Sequence, residues 1–348
     1  MKMTEKARQE SFFKRFAAKW QANPLYSTGA VLILMVIVQT FALGFNYPSF
    51  GAWFANWSKN WINLLRNNAG VGIVALGMTF VIISGGIDLA VGSTLPAVGA
   101  VLMVFINEYP TGLLTAAGIT GLPAFIIGIL AALLMGCLIG SVNGALVSWG
   151  KIPPFIATLG TMKICRSVTQ HFMQTVGVKV PRAFLNIANA KIGGEIILPI
   201  IYWLVIALLL HLISRKTPFG RHVYAIGSNE RAARLSGINV ERVKALVYVI
   251  SGMLVAVTAV IQVARIGSMD YANAGSGYEM DAIAAVVVGG TSMSGGKGSM
   301  MGTILGMLII AVMNNLLNLV GVPPFLREAF KGFIVIAAVL LQKKEKAS

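Results

Sequence analysis

Ten stretches of this 348-residue chain are apolar for about the length that a membrane-crossing helix requires. They lie near 28–44, 69–84, 89–106, 123–149, 153–173, 196–213, 245–264, 280–292, 299–320 and 328–342. Lipid offers no water to backbone N–H and C=O groups, so each stretch has to close its own hydrogen bonds as a helix. Only 11% of residues are charged and mean hydropathy is +0.77, against roughly 25% charge in soluble domains. So few charges cannot cover a water-facing surface. The expectation is an all-α polytopic integral membrane protein of about ten transmembrane helices, a single domain over 1–348. The count could be nine or eleven, because 69–106 is nearly continuous and 280–292 is short.

The net charge of +16 does not point to nucleic acid, because the basic residues gather at the ends of apolar segments. With ten spans and both termini in the cytoplasm, 18 of the 28 Lys and Arg fall inside, seven outside and three (Lys163, Arg166, Lys331) in or near the bilayer. That asymmetry supports both termini inside. The first 20 residues are polar and basic, and no cleavable leader is expected. There, Phe12, Phe13, Phe16 and Trp20, with Lys14, Arg15 and Lys19 nearby, predict an amphipathic cytoplasmic helix within 1–22. Trp53, Trp57 and Trp61 recur every fourth residue and predict a short helix lying on the outer surface, as an anchor or a docking ledge. Cys137 and Cys165 both sit in apolar runs and read as packed thiols.

A faint internal repeat is visible. Gly136, Gly140 and Gly144 precede a Pro-Pro turn at 153–154, and Gly298, Gly302 and Gly306 precede another at 323–324. Glycine at every fourth residue lets two helix backbones approach closely. Two five-span halves of opposite orientation would place the two turns on opposite faces. The ladder-to-turn spacing differs by eight residues, so coincidence stays open.

The loop 215–244 needs a reason for its thirty ordered-looking residues. Ser228 or Asn229 can cap a helix, Glu230 suits the positive end of its dipole, and Gly237 can stop it. Ala232, Ala233 and Leu235 give a small knobby face flanked by Arg231 and Arg234. Such a helix fits a groove of a soluble partner. A plain topogenic loop is the alternative.

The core of this loop, AIGSNERAARLSGI at 225–238, resembles that of permease subunits of bacterial ATP-binding-cassette sugar importers, the ribose-type branch above all. GMTFVIISGGIDLAVGS at 77–93, PFIATLGTM at 154–162 and GYEMDAIAAVVVGGTSMSGGKGSMMGT at 277–303 are similar to the same family, in the same order. The resemblance implies a permease in a bacterial inner membrane, translocating a monosaccharide or similar polyol by alternating access. It implies a second permease copy or homologue, a cytoplasmic ATPase and an extracytoplasmic solute-binding protein. It also implies that the helix at 229–235 couples to the ATPase through Asn229, Glu230, Arg231, Ala232, Ala233, Leu235 and Gly237.

No cofactor is expected in this chain, since ATP would be bound by the partner. The nearest approach to a phosphate-binding loop, TSMSGGKG at 291–298, has Thr291 where the first Gly is required and Gly298 where Ser or Thr is required. It reads as a tight turn. His171, His211 and His222 are scattered and show no metal spacing, and no nucleophilic set can be assembled. Neither metal nor catalytic residue is therefore expected. Asp88, Glu279 and Asp281 fall at glycine-broken or short spans and read as gate elements or helix caps. Asn143, Thr158, Gln262, Asn314 and Asn315 sit within apolar runs, where they could line a sugar path or bond neighbouring helices. Two rivals stay open: an ion-coupled secondary transporter, and an importer of a different small solute such as an amino acid.

Overall fold

The computed structural model describes residues 24–347, and among them the chain is helical, with one isolated bridge pair at Ile192 and Glu195. The predicted amphipathic segment within 1–22 lies outside the described residues. Each of the ten apolar stretches falls on a helix. They are α1 (Pro24–Leu43), α2 (Phe50–Ile83), α3 (Val91–Ile106), α5 (Leu122–Ser148), α6 (Pro154–Met173), α8 (Leu198–Lys216), α11 (Val240–Ile266), α12 (Tyr278–Val288), α13 (Met300–Leu319) and α14 (Pro324–Ala347). Among the described residues, six helices are long and apolar enough to cross a membrane: α1, α2, α5, α8, α11 and α13. Four short helices complete the chain: α4 (Leu113–Ala116), α7 (Arg182–Asn189), α9 (Pro218–Ser228) and α10 (Glu230–Leu235).

The tryptophan stripe is not a separate surface helix. It forms the first turns of α2, whose 34 residues run for about 51 Å. Without Gly or Pro between Trp57 and Ala69, nothing in the chain stops the helix. Trp53 Nε1 donates to Gly44 O at 3.1 Å and Trp57 Nε1 to Thr40 Oγ1 at 3.2 Å, so the stripe is level with the last turn of α1. Phe45, just after α1, stacks on Trp53, which stacks on Trp57 in turn, and Trp61 continues the aromatic row along α2 at a tilt.

The second half of α2, from Val71 to Ile83, is completely buried and forms the axis of the bundle. Two glycine-lined crossings let backbones close around it. A Cβ at Gly136, Gly140 or Gly144 would run into the carbonyls of Gly252, Tyr248 or Ala245, so the first ladder is the contact face of α5 on α11. Gly302 and Gly306 in turn press on the carbonyls of Gly289 and Ala285, so the second ladder joins α13 to α12. The Ser292–Lys297 segment closes on itself, Ser292 N donating to Lys297 O at 2.9 Å, and Gly296 N donates to Ile83 O at 2.9 Å. It is a tight turn packed against the end of α2.

Candidate functional site

The predicted docking helix is α10. Asn229 is its cap, its side chain accepting from Ala232 N at 3.0 Å. Gly237, at φ +81, lets the backbone reverse, with Ile238 N donating to Ala233 O at 3.1 Å. The helix is preceded by α9, which the sequence reading missed. Its signals were present: Thr217 caps Gly220 N at 3.2 Å and Pro218 stands at the first helical position.

One member of the expected docking face is corrected. Ala233 is buried within the chain, at 4% exposure, whereas Leu235 is 90% exposed. With only six residues, the helix presents Arg231, Ala232 and Leu235 outward and uses Ala233 to pack on its own support.

That support is a chain of ion pairs. Lys151 binds Glu241 (2.9 Å), Glu241 binds Arg234 (2.8 Å), Arg234 binds Glu230 (3.3 Å) and Glu230 binds Lys244 (2.7 Å). Hydrogen bonding from Lys244 holds the Glu230 carboxyl below its ordinary range. Exposed pairs are individually weak. Linked in series, they fix α10 to the start of α11 and to the Pro-Pro turn that opens α6. Lys151 occupies the left-handed region at φ 53, where a non-glycine residue is strained. A polar cavity of about 260 Å³ lies beside this lattice, bordered by Gly85, Ser148, Lys151, Pro153, Glu230 and Lys244.

The candidate gate residues occupy two broken spans. Asp88 is 3% exposed in the irregular segment between α2 and α3; its carboxylate accepts from Ala90 N at 3.0 Å and from Ser251 Oγ at 3.0 Å. It closes an Asx-type turn onto Ala90, the residue before α3, whose start has no side-chain cap of its own, and Thr158 Oγ1 accepts from Leu89 N beside it at 3.1 Å. Asp88→Asn is therefore expected to retain most of the native activity, since Asn still accepts from the backbone amide, whereas Asp88→Leu leaves that amide and the Ser251 hydroxyl unpaired in the core. Transport rates of the two variants at matched membrane amounts check this. Loss in the Asn variant with intact folding would give the charge itself a role.

Asp281 does not cap α12, whose N-cap is Gly277. Instead its carboxylate faces Lys331 Nζ at 2.9 Å, both side chains being largely buried, and Lys331 also reaches Glu328 at 2.9 Å. Glu279 presses its carboxylate against Gly92 at the start of α3. The two broken spans thus meet, with Gly92 and Gly275 in backbone contact.

The five path candidates do not converge. Asn315 joins three helices, accepting from Gln39 Nε2 at 2.9 Å and donating to Asn60 Oδ1 at 3.2 Å. Gln262 accepts from Tyr278 Oη at 3.1 Å, and Thr158 holds Leu89. Asn143 and Asn314 each present an Oδ1 that accepts no hydrogen bond within the described residues.

A different polar surface is exposed along α6. Gly160, Lys163, Ser167, Gln170 and Gln174 stand three and four residues apart, and all five are exposed. That spacing puts them on one face of the helix and its C-cap. The signal was present in the sequence as a polar stripe in an apolar run. On its flank, Ile164, Val168 and Phe172 border an apolar groove of about 490 Å³ shared with α3 and α5, which offers a polyol almost nothing to bond. No group of His, Cys, Asp and Glu among the described residues could hold a metal.

Comparison with known proteins places residues 60–339 on the family model described as branched-chain amino acid transport system / permease component. The chain is 39% identical to the ribose import permease protein RbsC of Escherichia coli K12, over 91% of this chain and 92% of that one. It is 42% identical to the RbsC of Bacillus subtilis 168, covering 83% and 86%, and 32% identical to the xylose transport system permease protein XylH of Haemophilus influenzae, covering 91% and 96%. No solved structure matches.

Proposed function

Since the chain belongs to the family of branched-chain amino acid transport system permease components, we propose that it is the membrane subunit of an ATP-binding-cassette importer that carries a monosaccharide or similar polyol inward. The observation that carries this reading is α10, a capped helix held by ion pairs with an apolar side chain 90% exposed at its tip. A cytoplasmic ATPase would receive that tip, and an extracytoplasmic binding protein would deliver the solute at the opposite end. All ten helices are proposed as crossings, with both termini and the 215–244 loop in the cytoplasm. The shorter ones, α3 and α12, would cross with their ends buried by their neighbours. The Pro-Pro openings of α6 and α14 agree with an inverted pair of halves.

The stripe on α6 argues for a second copy. Ammonium and carboxamide groups facing lipid are costly, so a polar face on a crossing helix belongs against water or protein. Two stripes facing one another would wall a wet path. The stripe holds no carboxylate to pair with an α-ammonium group. That favours a neutral polyol over an amino acid, in line with what the ribose and xylose permeases are named for.

Reconstitution in liposomes with the ATPase and binding protein tests the reading. Uptake of D-ribose or D-xylose should require both partners and ATP, and should survive dissipation of proton and sodium gradients. Uptake by the chain alone that collapses with an ion gradient would replace it with secondary transport.

A further inference from the structure

The side chain of Arg166, on α6, reaches into the junction where the two broken spans meet. Its Nη1 donates to Ala272 O at 3.0 Å and to Ala274 O at 2.8 Å, and its Nη2 donates to Gly92 O at 3.1 Å. The first two acceptors belong to the loop that enters α12, the third to the first turn of α3.

The Gly92 carbonyl is free for a reason written in the chain. Four residues on stands Pro96, inside α3, and proline has no N–H to donate back. A buried carbonyl left in this way has to find another donor, and Arg166 supplies it. The loop carbonyls are equally without helical partners, so one guanidinium satisfies groups from two separate backbone breaks. Charge-assisted bonds of this kind are stronger than neutral ones.

The surroundings place this clamp beside the proposed path. Arg166 adjoins Ser167 of the exposed stripe, and Asn273 and Ser276 of the clamped loop are exposed. On its other side, α12 is held by the Lys331–Asp281 pair. α12 is therefore fixed from both α6 and α14, and the Arg166 hydrogen bonds go to backbone alone, with the Glu279 and Asp270 carboxylates near enough to interact with its charge.

We propose that Arg166 is a positioning residue that keeps the junction of the two broken spans closed at rest and releases it when α6 moves. The inference rests on the reading of the chain as a permease and adds a resting seal to it. Without the clamp, the loop before α12 is free to leave α3, and solute leaks without ATP.

The experiment uses the full chain reconstituted with its ATPase, in liposomes loaded with D-ribose and lacking ATP. Arg166→Gln should raise passive efflux per inserted chain by roughly tenfold or more, since a neutral carboxamide replaces the charge-assisted fork with fewer and weaker bonds. Arg166→Lys, which keeps the charge but not the fork, should fall between Gln and native. Pro96→Ala provides a second test that does not depend on the Gln variant folding. It restores the missing N–H, competes with Arg166 for the Gly92 carbonyl, and should raise efflux while making α3 a more regular helix. A purely structural role predicts the reverse for Pro96→Ala, a better helix and no leak. Unchanged efflux in every inserted variant, with native ATP-driven uptake intact, would overturn the latch and leave the permease reading standing. Absence of native uptake with all partners present would count against the permease reading itself.

Discussion

Replacing Leu235 with Asp is expected to abolish ATP-driven uptake while leaving the chain folded and inserted. Leu235 is 90% exposed, so the substitution costs the fold little. An apolar side chain at the tip of a rigid knob is suited to fill a pocket in a partner. A charge placed in that pocket loses the apolar contact and adds a desolvated carboxylate. A central interface contact of this kind is worth about 2–4 kcal/mol, or roughly a 30- to 1000-fold loss of affinity for the ATPase. The measurement is co-purification with the ATPase alongside uptake in liposomes. Ala232→Arg, also on the exposed side, should behave the same way. Ala233→Arg is a poorer test, because Ala233 is buried in the chain and its replacement would disturb the support. Normal association and uptake by Leu235→Asp would remove α10 from the interface.

The position of α10 was legible in the sequence because its determinants are local. Asn229 as cap, Glu230 in the first turn and Gly237 at the reversal act within a few residues, and all three occupy those roles. The helical class was equally legible, since continuous apolar runs of about twenty residues suit helices, whereas the strands of a closed barrel are shorter and alternate. What escaped depends on which residues meet across the bundle. Ala232 and Ala233 look alike in the chain, yet one is exposed and the other buried, and only packing in the folded chain decides which. Asp281 sits in the first turn of α12 and looked like a cap. Its partner Lys331 lies 50 residues away, and no short-range pattern could pair them. Trp53, Trp57 and Trp61 do lie on one helix as their spacing implies, but periodicity cannot say whether a helix stops, and α2 does not. Asn315 reads in the sequence as a polar residue in an apolar run, able to line a path or to bond a neighbouring helix. That it bonds Gln39 and Asn60 follows from three helices converging, a fact of tertiary structure.

The stripe on α6 leads to the second large effect. Single cysteines at Gly160, Lys163, Ser167, Gln170 and Gln174, in a chain with Cys137 and Cys165 replaced by Ser, should react with a charged, membrane-impermeant thiol reagent once the transporter is assembled. Cysteines at Ile164, Val168 and Phe172, one or two residues away on the groove side, should not. Thiolate is the reactive form, and it exists in water and not in lipid. The expected contrast between the two sets is therefore on the order of a hundredfold in rate, the scale set by excluding a charged group from hydrocarbon at about 2.5–3.5 kcal/mol. Solute at saturating concentration should slow the stripe positions and leave the others unchanged, and Gly160→Leu should obstruct transport, because the space in front of Gly160 is open in the single chain. Two outcomes decide against the path. Equal reactivity on both faces would mean that α6 lies in a generally wet environment. A stripe that is unreactive in the assembled dimer but reactive in the monomer would make it a dry contact between copies, and the solute route would then have to run elsewhere in the bundle.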